Sequence, residues 1–189
     1  MANLNERIII ESLNGEDMRG EYDYSTFRGL SATPNWRIRF NGDTALVGIY
    51  GIEKSKVHIL SYLFEGRYPA YQFDGDYNPK ARTGHFHQLQ NWSPLDVIIF
   101  RRQALRRTAK ICLCIEKLFC ELGLTSADTA ATHKPIARLL QDMGWKVRES
   151  GGCYYAKKDL SPEKLKLPKI LKGRGLEIIT LNFIRQPNL

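Results

Sequence analysis

His85 and His87 stand one residue apart in Gly-His-Phe-His-Gln, and alternate residues on an extended strand share one face. Two imidazoles on one face are part of a zinc site, which takes three or four ligands. No third ligand stands at a recognisable spacing, so the pair also reads as two solvated loop histidines, with no metal. Cys112, Cys114, Cys120 and Cys153 match neither a zinc knuckle nor a secreted disulfide framework. Three of the four fall in one apolar helical run, which predicts reduced, buried thiols and a cytoplasmic protein. Tyr154 and Tyr155 fall on a strand, where aromatic residues pack or reach a substrate.

These groups sit in a chain of 189 residues, enough for one domain with a sizeable core. Lys and Arg outnumber Asp and Glu by 28 to 20, giving +8 and a pI near 9.4. That balance suits polyanions, nucleic acid among them, or a phosphate-bearing ligand, and it also suits plain solubility. No run approaches the roughly 18 apolar residues of a membrane span, and Met-Ala-Asn-Leu-Asn-Glu-Arg is not a leader peptide. No membrane partner is expected.

The elements that position the candidates are organised around residues 133–159. Ile136, Leu139, Leu140 and Met143 recur at three and four residues, Pro135 suits a first turn, and Gly144 suits a left-handed helix cap. Trp145 to Glu149 and Cys153 to Lys157 then flank Ser150-Gly151-Gly152 as a hairpin. Upstream, residues 7–13 read as a first strand. Trp36 to Phe40 and Ala45 to Tyr50 flank the turn Asn41-Gly42-Asp43, and Val57 to Phe64 completes a three-strand meander. Residues 65–94, punctuated by Gly and Pro and rich in aromatics, read as a long functional loop. Asp96 to Phe100 is a short apolar run that predicts a central strand. From Leu105 the positions Ala109, Cys112, Ile115, Phe119 and Leu122 predict a buried helix stopped by Gly123. Leu124 to Thr132 is a weak strand or turn. Residues 1–160 thus form one domain. Residues 161–189 form a basic C-terminal extension with a final strand candidate over 176–184.

Strand, meander, central strand, buried helix, short strand, helix and hairpin, in that order, resemble the GCN5-related N-acetyltransferase (GNAT) fold over residues 36–159, in a divergent form similar to phage-type members. The fold class implied is α/β (α+β), a mixed, mostly antiparallel sheet flanked by helices. In that family two parallel strands splay apart to admit acyl-CoA, whose pyrophosphate rests on the start of the buried helix. The family's helix motif Asn-x-x-Ala-x-x-x-Tyr-x-x-x-Gly-aromatic aligns on His133, Ile136, Leu140, Gly144 and Trp145. Only its Gly-aromatic end is kept. The family's phosphate loop falls on Gln103 to Thr108, followed by Ala109, with Arg106 and Thr108 where glycines would stand. The resemblance implies acetyl-CoA as cofactor, held by Gln103, Arg106, Arg107, Thr108 and Ala109, with Arg101 and Arg102 beside them. Guanidinium groups there offer charge-assisted contacts to phosphate; a solvated basic face is the plainer reading. Direct attack by an amine needs a base, for which Asp96, His85 and His87 are the candidates. With Leu140 at the tyrosine position, the thiolate would leave without a helix acid.

Three functions follow: an acyl-CoA-dependent N-acyltransferase of unknown acceptor, an inactive interaction or structural protein on the same fold, and a winged-helix nucleic-acid-binding module. In the last, His133 to Met143 would enter a groove, the hairpin would be the wing, and Lys146, Arg148, Lys157 and Lys158 would meet phosphates.

Overall fold

The computed structural model describes residues 35–40, 43–65, 68–91, 101–131, 133–171 and 179–183. In chain order these form β1 (Trp36–Phe40), β2 (Asp43–Glu53), β3 (Lys56–Glu65), β4 (Tyr68–Asn78), β5 (Thr83–Asn91), α1 (Arg101–Glu121), β6 (Ser126–Ala131), α2 (Lys134–Asp142), β7 (Lys146–Ser150), β8 (Cys153–Asp159) and β9 (Ile179–Phe183). All nine strands lie in one sheet, ordered β7-β8-β6-β5-β4-β3-β2-β1-β9. Neighbours are antiparallel except β5 and β6, which run parallel. The sheet is therefore mixed and mostly antiparallel, as expected.

The meander follows from alternation. Ala45 and Val47 on β2, and Val57, Ile59 and Leu63 on β3, face the core, which lies between the sheet and α1. The expected loop over 65–94 is a correction: β4 and β5 occupy most of it as a long hairpin whose turn lies at residues 79–82. Its glycines and polar residues masked the period, because Tyr71, Phe73, Tyr77 and Phe86 face the core while Asp74 and Asp76 alternate with them. The strands expected over 7–13 and 96–100 lie outside the described residues.

Both helices end in the same way. Gly123 (φ +74°) donates to the Cys120 carbonyl and Leu124 to the Phe119 carbonyl. Gly144 (φ +90°) donates to Gln141, and Trp145 to Leu140. This double closure needs a left-handed residue, which glycine supplies without a Cβ clash. The apolar residue after each glycine, Leu124 or Trp145, is buried, so each stop also anchors the next element. Gly151 and Gly152, both at positive φ, make the two-residue turn between β7 and β8. Beyond β8, Leu171 buries itself in the core and β9 pairs with β1 at the far end of the sheet. The basic extension thus contributes to the same sheet.

Candidate active site

The parallel pair is short. β5 and β6 share a ladder only from Thr83↔Ser126 to Phe86↔Thr129. Past that point β5 follows β4 and β6 follows β8, so the strands part and leave two facing backbone edges without a shared ladder. Thr129 marks the parting: its hydroxyl donates to the Phe86 carbonyl at 2.9 Å, taking the place of the next ladder bond. Into the gap opens a cleft of about 430 Å³, lined among others by His87 and Leu89 of β5, Ala131 of β6, Thr108 of α1 and Leu140 of α2.

β5 changes register where the cleft begins. Asp74 pairs with Gln88 and Gly75 with Phe86, leaving His87 as the extra residue of a β-bulge. The bulge re-aims His87 so that its Nε2 lies 2.6 Å from Asp76 Oδ2. Asp76 is 4% exposed, with Lys56 Nζ at 3.6 Å from the same oxygen. His85 Nδ1 binds Asp128 Oδ1 across the β5–β6 pair. The two imidazole rings meet edge to face, 4.6 Å between centroids. The structure therefore brings His85 and His87 together, as the spacing implied, but ties each to its own carboxylate. Among the described residues no group of three ligating side chains converges on a metal position.

Asp76 and Asp128 are site residues that the sequence reading missed. The available signal was alternation: with 68–91 read as a hairpin, Asp76 falls opposite His85. The third base candidate, Asp96, lies outside the described residues.

The residues expected to form the phosphate loop lie within a helix. α1 begins at Arg101, four residues before the expected start, so Gln103 to Ala109 are helical. Only the first four N–H groups of a helix lack intrahelical acceptors, which are those of residues 101–104. Thr108 and Ala109 are 1% and 0% exposed, and Arg107 is 8% exposed; Gln103 and Arg106 are half-buried. Thr108 Oγ1 lies 2.9 Å from the Ala104 carbonyl and 2.8 Å from the Tyr71 hydroxyl. Its single proton goes to the carbonyl, which can only accept, when Tyr71 donates in turn. Thr108 reaches the cleft as part of its wall.

Among the described residues the winged-helix architecture is absent. Ser126–Ala131, which would have been the partner helix, is β6 in the sheet. Lys158, placed on a phosphate in that reading, is buried against α1: its Nζ lies 2.6 Å from Glu116 Oε2 and 2.8 Å from the Met143 carbonyl. Trp145 Nε1 donates to the other Glu116 oxygen at 2.6 Å. Burial pushes the Glu116 carboxyl above its usual range, against the opposing pull of Lys158. Cys112 and Cys114 are buried, Cys120 and Cys153 half-buried, and all four are free thiols; burial raises Cys114 to about 12.

A parallel pair parting over a cleft, a bulge at the parting, a buried helix between its two strands and a Gly-aromatic helix stop after it are the arrangement that the GNAT resemblance implies. No protein-family model matches the sequence, and no curated protein matches it. Among solved structures it is similar to PaiA N-acetyltransferase of Thermoplasma acidophilum in complex with coenzyme A (TM-score 0.40, 12% identity, 53% of this chain and 59% of that one). It is also similar to a GNAT-family acetyltransferase of Listeria monocytogenes (0.35, 13%, 53% and 64%) and to Tetrahymena GCN5 (0.37, 10%, 84% and 85%). The aligned part spans about three fifths of the first two. No helix among the described residues is long and apolar enough to cross a membrane.

Proposed function

We propose that the chain is an acyl-CoA-dependent N-acyltransferase, and that His87 is its base. The observation that carries this reading is the bulge at the strand parting, which sets an imidazole backed by a buried carboxylate against a cleft of arm-like dimensions. The fit to the cofactor is uneven. Edges of β5 and β6 past their ladder offer N–H and C=O groups to an amide-rich pantetheine arm. The phosphates would rest on the first turn of α1, which carries no acidic residue and includes Gln103, with Arg106 one turn on. Bound there, acyl-CoA would supply a thioester carbonyl activated for attack.

The chain's own residues do the rest. With Asp76 accepting from Nε2–H, the His87 lone pair sits on Nδ1, which takes the proton of the acceptor amine. Asp76 stabilises the imidazolium so formed. Leu140 gives the cleft an apolar wall where the family places a tyrosine, so that position offers no proton to a leaving thiolate.

Calorimetric titration with CoA, paired with thiol release from acetyl-CoA across a panel of amines, tests this. Saturable CoA binding abolished by Ala104→Trp, which sets a bulky ring on the cleft wall, together with turnover lost in His87→Gln, is the expected result. Binding without turnover on any amine would favour the inactive interaction protein. Binding indifferent to Ala104→Trp would put the cofactor elsewhere.

A further inference from the structure

The outer face of β7 and β8 carries a strip that acyl transfer does not use. Lys146 of β7 stands directly opposite Lys157 of β8, and Arg148 stands opposite Tyr155. All four are exposed: Lys146 at 85%, and Tyr155, at 48%, is a large apolar ring left in solvent. Val147 and Ala156 face the core, so by alternation these four share the other face.

Like charges directly opposite one another destabilise an antiparallel pair. Cations on an edge strand have their own use, since they block edge-to-edge pairing, and β7 is an edge. That accounts for Lys146 and Arg148. It does not account for Lys157, whose strand is paired on both sides and whose neighbour on β6, Asp128, is bound to His85. At its Lys146–Lys157 end the strip runs into a concavity of about 460 Å³ that adds Lys164 and Lys166. Asp159, 3.6 Å from Lys146, and Glu163 also line it; its fifth lysine, Lys158, is held by Glu116.

We propose that this strip binds single-stranded nucleic acid, with phosphates along Lys146, Lys157, Lys164 and Lys166 and a base stacked on Tyr155 beside Arg148. The four lysines form the cationic track, and the exposed ring decides the class of polyanion. Stacking on an aromatic platform beside an arginine is available to a nucleobase whatever its sequence. An acidic peptide would match the charge and leave Tyr155 unused.

Fluorescence anisotropy with a labelled twelve-nucleotide oligomer tests the proposal on the full chain. Each phosphate contact on a single strand contributes about −0.7 to the slope of log affinity against log salt, so four lysines predict a slope of roughly −3. Lys146→Glu with Lys157→Glu should shrink that slope by roughly 1.4. Tyr155→Ala should weaken binding about ten-fold with the slope unchanged, as lost stacking does. Absence of binding overturns the proposal, as does a slope indifferent to the double substitution. Equal competition by polyglutamate together with an indifferent Tyr155→Ala would assign the strip to an acidic protein instead. Thermal melts verify folding, and Lys164→Glu with Lys166→Glu repeats the slope test off the sheet.

Discussion

Two carboxylates in this molecule each hold a nitrogen at 2.6 Å, and they have opposite consequences. Glu116 meets Lys158 on the core side of the sheet, and both side chains are all but sealed from water, at 0% and 3% exposed. Asp76 meets His87 on the other face; the carboxylate is 5% exposed but the imidazole is 41% exposed. A pair closed at both ends can exchange a proton with nothing and fixes architecture. A pair closed only at the carboxylate end positions a ring that still reaches solvent and substrate. Glu116 ties α1 to β8 and, through Trp145, to the α2 stop; Asp76 ties β4 to the bulge of β5.

The sharpest way to break the comparison is to uncouple the closed pair. Lys158→Met leaves a buried carboxylate without its cation, which costs about 3–5 kcal/mol when a buried pair loses one member. The cost should depend on pH. Glu116 already lies above its ordinary 4.5 because burial outweighs Lys158, and removing Lys158 raises it further. An acid whose folded pKa exceeds its unfolded one contributes fully below the unfolded value and loses that contribution as pH rises through the folded value. Denaturant unfolding of Lys158→Met should therefore show a larger loss at pH 8 than at pH 5. Adding Glu116→Gln removes the stranded charge while keeping an acceptor for Trp145, so the double variant should recover much of the loss. A flat pH dependence would mean that the pair is not as buried as it stands.

The closed pair was also the part of the molecule least legible in the sequence. Nothing in a glutamate inside an apolar stripe, or a lysine in Tyr-Tyr-Ala-Lys-Lys, says that the two will meet across 42 residues. Local signals fared better because their causes are local: Gly123 and Gly144 mark helix stops, Gly151-Gly152 a turn, and the meander its own alternation. The β4–β5 hairpin was hidden because its outer face carries Asp74, Asp76, His85 and His87, which have the polarity of a loop. The same residues from which the proposed site is built made its strands unrecognisable. The helix start at Arg101 was missed because its first turn lacks the apolar stripe that sets in at Leu105.

The open pair should break in activity with little effect on stability. His87→Gln removes the proton acceptor and should lower kcat/KM by about 10²-fold, the low end of general base catalysis. Asp76→Asn keeps the ring placed but no longer stabilises its cation, so a smaller loss in kcat with KM nearly unchanged is expected. His85→Gln tests whether the neighbouring ring, bound to Asp128, takes part: a loss as large as that of His87→Gln would move the base one pair over. Thermal melts of the two histidine variants should stay close to the parent, because His85 and His87 are partly exposed.

Two glycines on neighbouring strands sharpen the same contrast with the smallest steps available, one methyl each. At Gly84 a Cβ would sit inside the Phe119 ring, which is itself fully buried and packed edge to face against Phe86. At Gly75 it would lie 2.5 Å from the His85 carbonyl oxygen and from the Phe73 ring, beside the bulge that presents His87. Overpacking of this kind costs roughly 1–3 kcal/mol, so both alanine variants should melt earlier by comparable amounts. Their activities should diverge. The ring at Gly84 can give by moving away from the site, whereas the backbone at Gly75 is the site's own strand, and shifting it moves His87 off Asp76. Gly75→Ala should therefore lose activity well beyond its loss of stability, and Gly84→Ala only in proportion to it. Equal ratios of activity to folded fraction in the two variants would show that the bulge register is not what sets the base.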